Sequence, residues 1–220
     1  MLRPVTETWR YIRTRGLRKT VLQIWDRYIY TSQEWVIFLN LLEGPPVAPP
    51  SGIVFRPYTP ADLPLLGAFA RYYRASELRA RLEEGCWLDL AFDGDRPVAF
   101  RLTSTSSPRQ APFAKLIRLK ADQTRTVDLF CLPEYRGRGI GRWLGPFAER
   151  RIATMGYREN ISTVGLNNVS SLRSTIYQGD RAVRVVSYFR VLFNSKQRIS
   201  YDVGRVFEAA GLPKPITTGL

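Results

Sequence analysis

The chain has 220 residues, 45% of them hydrophobic, which allows one substantial core with a small extension but not two full-sized enzyme domains. Its 33 lysines and arginines against 19 acidic residues leave a net charge of +14, a balance that favours polyanions: a nucleotide cofactor, nucleic acid, anionic lipid or an acidic carrier protein. Histidine is absent, which excludes histidine general bases, Ser-His-Asp and Cys-His nucleophiles and histidine-containing metal sites, so proton transfer falls to carboxylate, tyrosine, lysine, cysteine or water.

A basic segment (Arg10, Arg13, Arg15, Arg18, Lys19) runs into Leu17, Val21, Ile24, Trp25 and Tyr28, whose spacing follows one face of a helix. That face is too apolar to be left in water and should pack against the main domain, a second subunit or a membrane surface. The strand-like run that follows, residues 35–42, favours docking on protein and extending a sheet. It is far shorter than the roughly 20 apolar residues of a membrane span, and no signal-peptide pattern opens the chain, so a soluble cytoplasmic protein is expected. Residues 1–43 are thus read as a basic amphipathic extension, and the proline-rich residues 44–51 as a semi-rigid linker.

The main domain is expected over residues 52–203, with 204–220 as a tail. Residues 53–56 read as a strand, and Thr59-Pro60-Ala61-Asp62 starts a helix, with threonine as N-cap, proline at the first position and an acid at the third. A second helix carries Leu78 and Leu82 and stops at Gly85. Residues 87–92 and 98–102 form a hairpin around Asp93-Gly94. A polar stretch follows, enclosing an apolar piece at 113–119 that has no assignment. A buried strand at 126–132, a glycine-rich turn, a helix to Met155, a strand at 161–166, a short helix at 170–177 ended by Gly179, and strand runs around 183–193 and 198–203 complete the order. Helices inserted between strands, with a hairpin in the middle, indicate an α/β class with a mixed sheet. The separated Cys86 and Cys131 match neither a disulfide framework nor a metal-ligand spacing, and read as buried thiols.

The turn Arg136-Gly137-Arg138-Gly139-Ile140-Gly141 joins strand to helix. Glycines let backbone approach a ligand closely, and the free N–H groups of a first helical turn sit at the positive end of its dipole. Such a site suits a pyrophosphate, and Arg136, Arg138 and Arg142 add positive charge. A P-loop lysine is missing, and the alternating glycines do not match a Rossmann fingerprint.

The wording Leu132-Pro133-Glu134-Tyr135-Arg136-Gly137-Arg138-Gly139-Ile140-Gly141 resembles the Arg/Gln-x-x-Gly-x-Gly/Ala signature of the GNAT superfamily of acyl-CoA N-acyltransferases. Downstream, Asn168, Ser171, Arg173 and Gly179 fall in step with a later pattern of that family, and residues 55–63 are similar to its opening strand and helix start. The resemblance covers roughly residues 52–203 and implies the GNAT-type acyltransferase fold with an N-terminal helix-strand extension. It implies acetyl-CoA or another acyl-CoA as co-substrate, and no metal. The pyrophosphate would rest on the N–H groups of Arg136, Gly137, Arg138, Gly139, Ile140 and Gly141, with the pantetheine arm where the family's fourth and fifth strands splay. Backbone near Phe130 and Cys131 would bind the pantetheine amides and polarise the thioester, and Asn168 would contact the cofactor from the other wall.

Transfer to an amine is helped by a general base. Asp128, where family members often place a carboxylate, and Glu134, at the turn's entrance, are the candidates. The family's thiolate-protonating tyrosine is replaced by Thr175, which leaves Tyr177, two residues on, as the catalytic candidate for that role if the helix is wound or shifted to bring it to the sulfur, and Asp180 replaces the usual phenylalanine. The expected function is acyl transfer to a primary amine on a small molecule, amino sugar or peptide, with acetyl as default. A non-catalytic acyl-CoA or peptide-binding module on the same fold is the alternative. An acyl-carrier protein, a homodimer and peripheral membrane contact stay open as partners, and nucleic acid is disfavoured because no recognition helix or aromatic-basic sheet can be read.

Overall fold

The computed structural model describes residues 30–42, 49–73, 75–109, 113–191 and 194–212. The expected amphipathic helix, its basic segment and most of the linker lie outside them. In chain order the elements are β1 (Tyr30–Leu41), β2 (Ile53–Pro57), a 3-10 segment (Pro60–Phe69), α1 (Ala75–Glu83), β3 (Trp87–Asp93), β4 (Arg96–Ser104), β5 (Gln123–Cys131), α2 (Ile140–Thr154), β6 (Glu159–Gly165), α3 (Val169–Tyr177), β7 (Arg181–Val191), β8 (Asn194–Ser200) and α4 (Gly204–Ala210). The strands form one sheet in the order β2-β3-β4-β5-β6-β1-β7-β8. Every neighbouring pair is antiparallel except β5 and β6.

The run expected at 35–42 does become a strand, but an interior one. β1 pairs with β6 on one side, Phe38 opposite Ser162, and with β7 on the other, Trp35 opposite Val186. Its composition explains the place: Val36, Ile37 and Phe38 are all buried, so the strand needs cover on both faces. Val36 and Phe38 enter a core with Leu172 of α3 and Val206 and Ala210 of α4. Ile37 turns to the opposite face, against Val186 and Ile117. The apolar piece at 113–119 is thereby accounted for, since Phe113, Leu116 and Leu119 pack on that cluster and Phe113 meets Trp35 edge-on at 5.1 Å.

The larger core gathers Leu66, Phe69, Leu78, Leu90, Phe100, Leu102, Ile140 and Leu144 around β3 and β4. The helix expected after Thr59 forms as a 3-10 helix, and Pro64 inside it removes one N–H from any α ladder. Its start is held by Asp62, which accepts from the Thr59 N–H at 2.7 Å and hydroxyl at 2.9 Å and takes both guanidinium nitrogens of Arg56. Residues 204–210, read from sequence as tail, form α4 and pack on α3, where Arg173 donates to the Ala210 carbonyl at 2.6 Å. Among the described residues no helix is long and apolar enough to cross a membrane.

Candidate active site

The parallel pairing of β5 and β6 lasts for only three residues, Gln123 to Arg125 against Glu159 to Ile161. Immediately beyond, the register of β5 on β4 slips: Thr126 faces Thr103 but Asp128 faces Leu102, so Val127 is an extra, bulged residue. A bulge bends its strand and strengthens the local twist, and here it turns β5 away from β6. The opening holds a cavity of about 180 Å³ lined from β5 by Thr126 to Leu129, from β6 by Asn160 and by Ser162 to Gly165, and by α2 and α3. Within it the buried Ser162 Oγ has no hydrogen-bond partner among the described residues.

In the turn from β5 into α2, Gly137 and Gly139 have φ of +79° and +78°, values that favour glycine, and Gly139 is the N-cap of α2. A glycine offers no side chain to accept the first N–H groups of the helix, and those of residues 137–142 have no partner among the described residues. Arg136, Arg138 and Arg142 stand over aromatic rings (Phe130, Tyr135, Trp143) and pair with no carboxylate among the described residues. The turn itself is fixed, because Tyr135 donates to Asp93 at 3.0 Å and Glu134 pairs with Arg96 at 2.7 Å. Free amides, positive dipole end and three uncompensated cations fit an anionic diphosphate.

The two sides of β5 carry different chemistry. Towards the 3-10 segment and α1, Asp128 accepts a hydrogen bond from the Tyr73 hydroxyl. Burial pushes the Asp128 carboxyl above the usual range, against the Tyr73 bond, the Leu129 N–H and the Arg81 charge. Burial and the Asp128 charge push Tyr73 up to about 12, so it stays a protonated donor. Phe100 meets Tyr73 edge-on at 5.2 Å and stacks on Phe130 at 5.6 Å. Towards α2, buried Arg101 pairs with Glu149 at 2.9 Å and donates to Thr126 at 2.9 Å. Asp180 joins this group, accepting from Asn40 of β1, and burial followed by the Glu149 charge pushes its carboxyl up to about 6.

The helices that flank the cavity meet where α2 lacks one rung of its ladder. Pro146, inside α2, has no N–H to give to the Arg142 carbonyl one turn earlier, and Gln178 from the end of α3 donates to that carbonyl at 3.0 Å. Gly145 makes room for this approach, since a Cβ there would stand 3.0 Å from Gln178 Oε1.

Of the residues singled out from sequence, Asp128 lines the cleft directly. The Leu132 N–H donates to Val98, so by alternation the Phe130 backbone faces β4 and that of Cys131 faces the open side. Asn168 sits at the far wall and caps α3, accepting from the Ser171 N–H at 3.2 Å. Glu134 is solvent-facing, its carboxyl held below the usual range by its own backbone N–H and by Arg96. Tyr177 is 62% exposed and lines a second cavity, whereas Thr175 lines the cleft. Sequence reasoning missed Tyr73, Arg101 and Gln178. A charged residue amid the apolar run of β4 was the one signal available for Arg101.

The family model described as "Acetyltransferase (GNAT) family" matches residues 55–174. Similar solved structures include a GCN5-related N-acetyltransferase from Sphaerobacter thermophilus, 17% identical with a TM-score of 0.55 over 79% of this chain and 56% of that one. A GNAT-family protein from Novosphingobium aromaticivorans is 19% identical, with a TM-score of 0.51 over 71% of this chain and 62% of the other. A GCN5-related glucosamine N-acetyltransferase region of a fungal multi-domain GH3 β-N-acetylglucosaminidase is 18% identical, with a TM-score of 0.54 over 77% of this chain and 22% of that one. The chain spans little more than half the length of the first two, and at these identities the likeness is one of fold. Among curated proteins, none is similar enough in sequence to count as a match. The family match takes in more than half of the 220 residues and runs from β2 through the glycine turn into α3, and this chain belongs to the GNAT acetyltransferase family.

Proposed function

We propose that this protein moves an acyl group, acetyl by default, from acyl-CoA directly to the primary amine of a small molecule, amino sugar or peptide. The observation that carries the reading is the cleft opened by the Val127 bulge beside a turn whose amides and arginines are uncompensated. The amides of residues 137–142, with Arg136, Arg138 and Arg142, hold the diphosphate. Asn168 bounds the pantetheine arm, and the Cys131 N–H on the open side of β5 polarises the thioester carbonyl. Asp128 takes the proton from the incoming ammonium, and Tyr73 fixes which carboxylate oxygen is free to do so. Burial keeps that carboxylate poorly solvated and therefore basic. Burial keeps the Cys131 thiol protonated, which favours direct transfer over an acyl-cysteine route.

Thr175 in the cleft favours a second reading, a non-catalytic acyl-CoA-binding module. One experiment separates them. Calorimetry with acetyl-CoA should show binding to the native protein and a loss of at least about 100-fold in Gly139→Glu, whose side chain occupies the diphosphate position. Mass spectrometry of an amine panel incubated with the native protein and acetyl-CoA should then show acetylated product. Unchanged affinity in a folded Gly139→Glu protein sinks the coenzyme site, and binding without product supports the module.

A further inference from the structure

The bulge that opens the cleft also decides which side chains share a face of the sheet. Residues three apart in a regular strand point to opposite sides, which would separate Arg125 from Asp128. Val127 is the extra residue between them. Arg125 lies opposite Ser104 and Asp128 opposite Leu102, two residues along β4. Both therefore stand on the side of the 3-10 segment and α1, with Cα positions about 7 Å apart along the strand, two steps of roughly 3.4 Å.

The two groups lack opposite partners. Asp128 is a buried carboxylate without a cation in contact, held by the Tyr73 hydroxyl and the Leu129 N–H. Arg125 is a half-buried cation without an anion. Its Nε donates to the Ser106 carbonyl at 2.8 Å, and among the described residues it forms no salt bridge. The charges that act on it are Arg81, which repels it, and Glu84, which already pairs with Arg81 at 2.9 Å. The Cys86 thiol nearby is kept protonated by burial and supplies no negative charge. Burial holds Arg125 below the usual arginine value, the mark of a cation taken partly out of water without compensation. Its two terminal nitrogens, a fork that fits carboxylate or phosphate oxygens, make no hydrogen bond among the described residues.

The result is a fixed charge pattern, negative where Asp128 lines the cleft and positive towards the start of β5. A neutral alkylamine would leave Arg125 uncompensated, and a polyamine would set a second cation against it. We infer that the acceptor is an amine carrying its own carboxylate or phosphate at a spacing on the order of 7 Å from the nitrogen, with Arg125 holding that anion while Asp128 receives the amine. This rests on the acyl-transfer reading above and adds to it the charge pattern of the substrate.

Kinetics of the full chain with acetyl-CoA test it on three acceptors of matched length: hexylamine, ε-aminocaproate and ω-aminohexyl phosphate, the last two separating a carboxylate from a phosphate. The native protein should prefer an anionic acceptor to hexylamine at least about tenfold in kcat/KM. In Arg125→Gln that ratio should fall to near one, with the loss in KM for the anionic acceptors. Arg125→Lys, which keeps a cation without the planar fork, should retain part of the preference, and it replaces Arg125→Gln as the test if thermal melts show the latter unfolded. A ratio that stays at its native value in the folded variants overturns the inference. A native ratio near one with hexylamine acetylated also overturns it but leaves acyl transfer standing. Product from none of the three overturns it as well, and the wider amine panel then decides the acyl-transfer reading by itself.

Discussion

The two sides of β5 at the bulge solve opposite problems with the same strand. Towards α1 a single carboxylate, Asp128, is buried with two neutral donors, the Tyr73 hydroxyl and the Leu129 N–H. Towards α2 three charged groups, Arg101, Glu149 and Asp180, are buried together and share hydrogen bonds with Asn40 and Thr126. The first arrangement raises a carboxyl above its usual range by burying it without a cation in contact. The second keeps charges inert by supplying partners, and ties β4, α2, β1 and β7 together across the opening. A strand that must splay loses its own pairing there, and the buried network replaces the lost hydrogen bonds as the connection between the halves.

The largest test removes one member of the network. Arg101→Met leaves Glu149 buried without its cation and should cost about 3–5 kcal/mol, read as a lower denaturant midpoint. The double variant Arg101→Met/Glu149→Leu should recover most of that loss, and failure to recover would mean that Arg101 acts through something other than this pair. Asp180 sharpens the same side. Its folded value of about 6 lies above the unfolded carboxylate range, so ionising it in the native state opposes folding. That cost is absent below about pH 4 and is in full force above about pH 6, so Asp180→Asn should gain about 2 kcal/mol at pH 7 and nothing at pH 4. Chemical denaturation at the two pH values measures it.

The smallest effect concerns the other side. Tyr73→Phe keeps the edge-on contact with Phe100 but removes a hydrogen bond that favours ionised Asp128. The carboxyl should move further up, seen in its carbon-13 titration. The rising limb of the kcat profile should move to higher pH with it, with a loss of about threefold at neutral pH. In Asp128→Asn that limb should flatten altogether. A limb that survives in Asp128→Asn would remove the base, and one lost there but unmoved in Tyr73→Phe would remove only the role of Tyr73.

Local chemistry was legible in the sequence wherever neighbours in the chain are neighbours in space. The glycine turn, the Asp93-Gly94 hairpin and the stop at Gly179 all take positive φ or tight geometry from adjacent residues. The strand at 35–42 was readable from its apolar run, but its partners β6 and β7 lie more than a hundred residues away, and nothing local specifies an interior place. Arg101, Glu149 and Asp180 come from three elements, and each alone reads as an isolated charge. Tyr73 was silent for the same reason, since only the fold brings it to Asp128. The 3-10 geometry after Thr59 was hidden because its cap is identical to that of an α-helix, and Pro64 decides the matter inside the segment.

The bond from Gln178 to the carbonyl stranded by Pro146 has a consequence for motion. A continuous helix would complete its own ladder, and its first turns could stay formed whatever its neighbour did. Here the opening turns of α2 borrow a rung from α3, so a fluctuation that lifts α3 also exposes the Arg142 carbonyl and loosens the glycine turn. The two helices therefore belong to one cooperative opening unit. Whatever anchors the turn should therefore also slow amide exchange along α3.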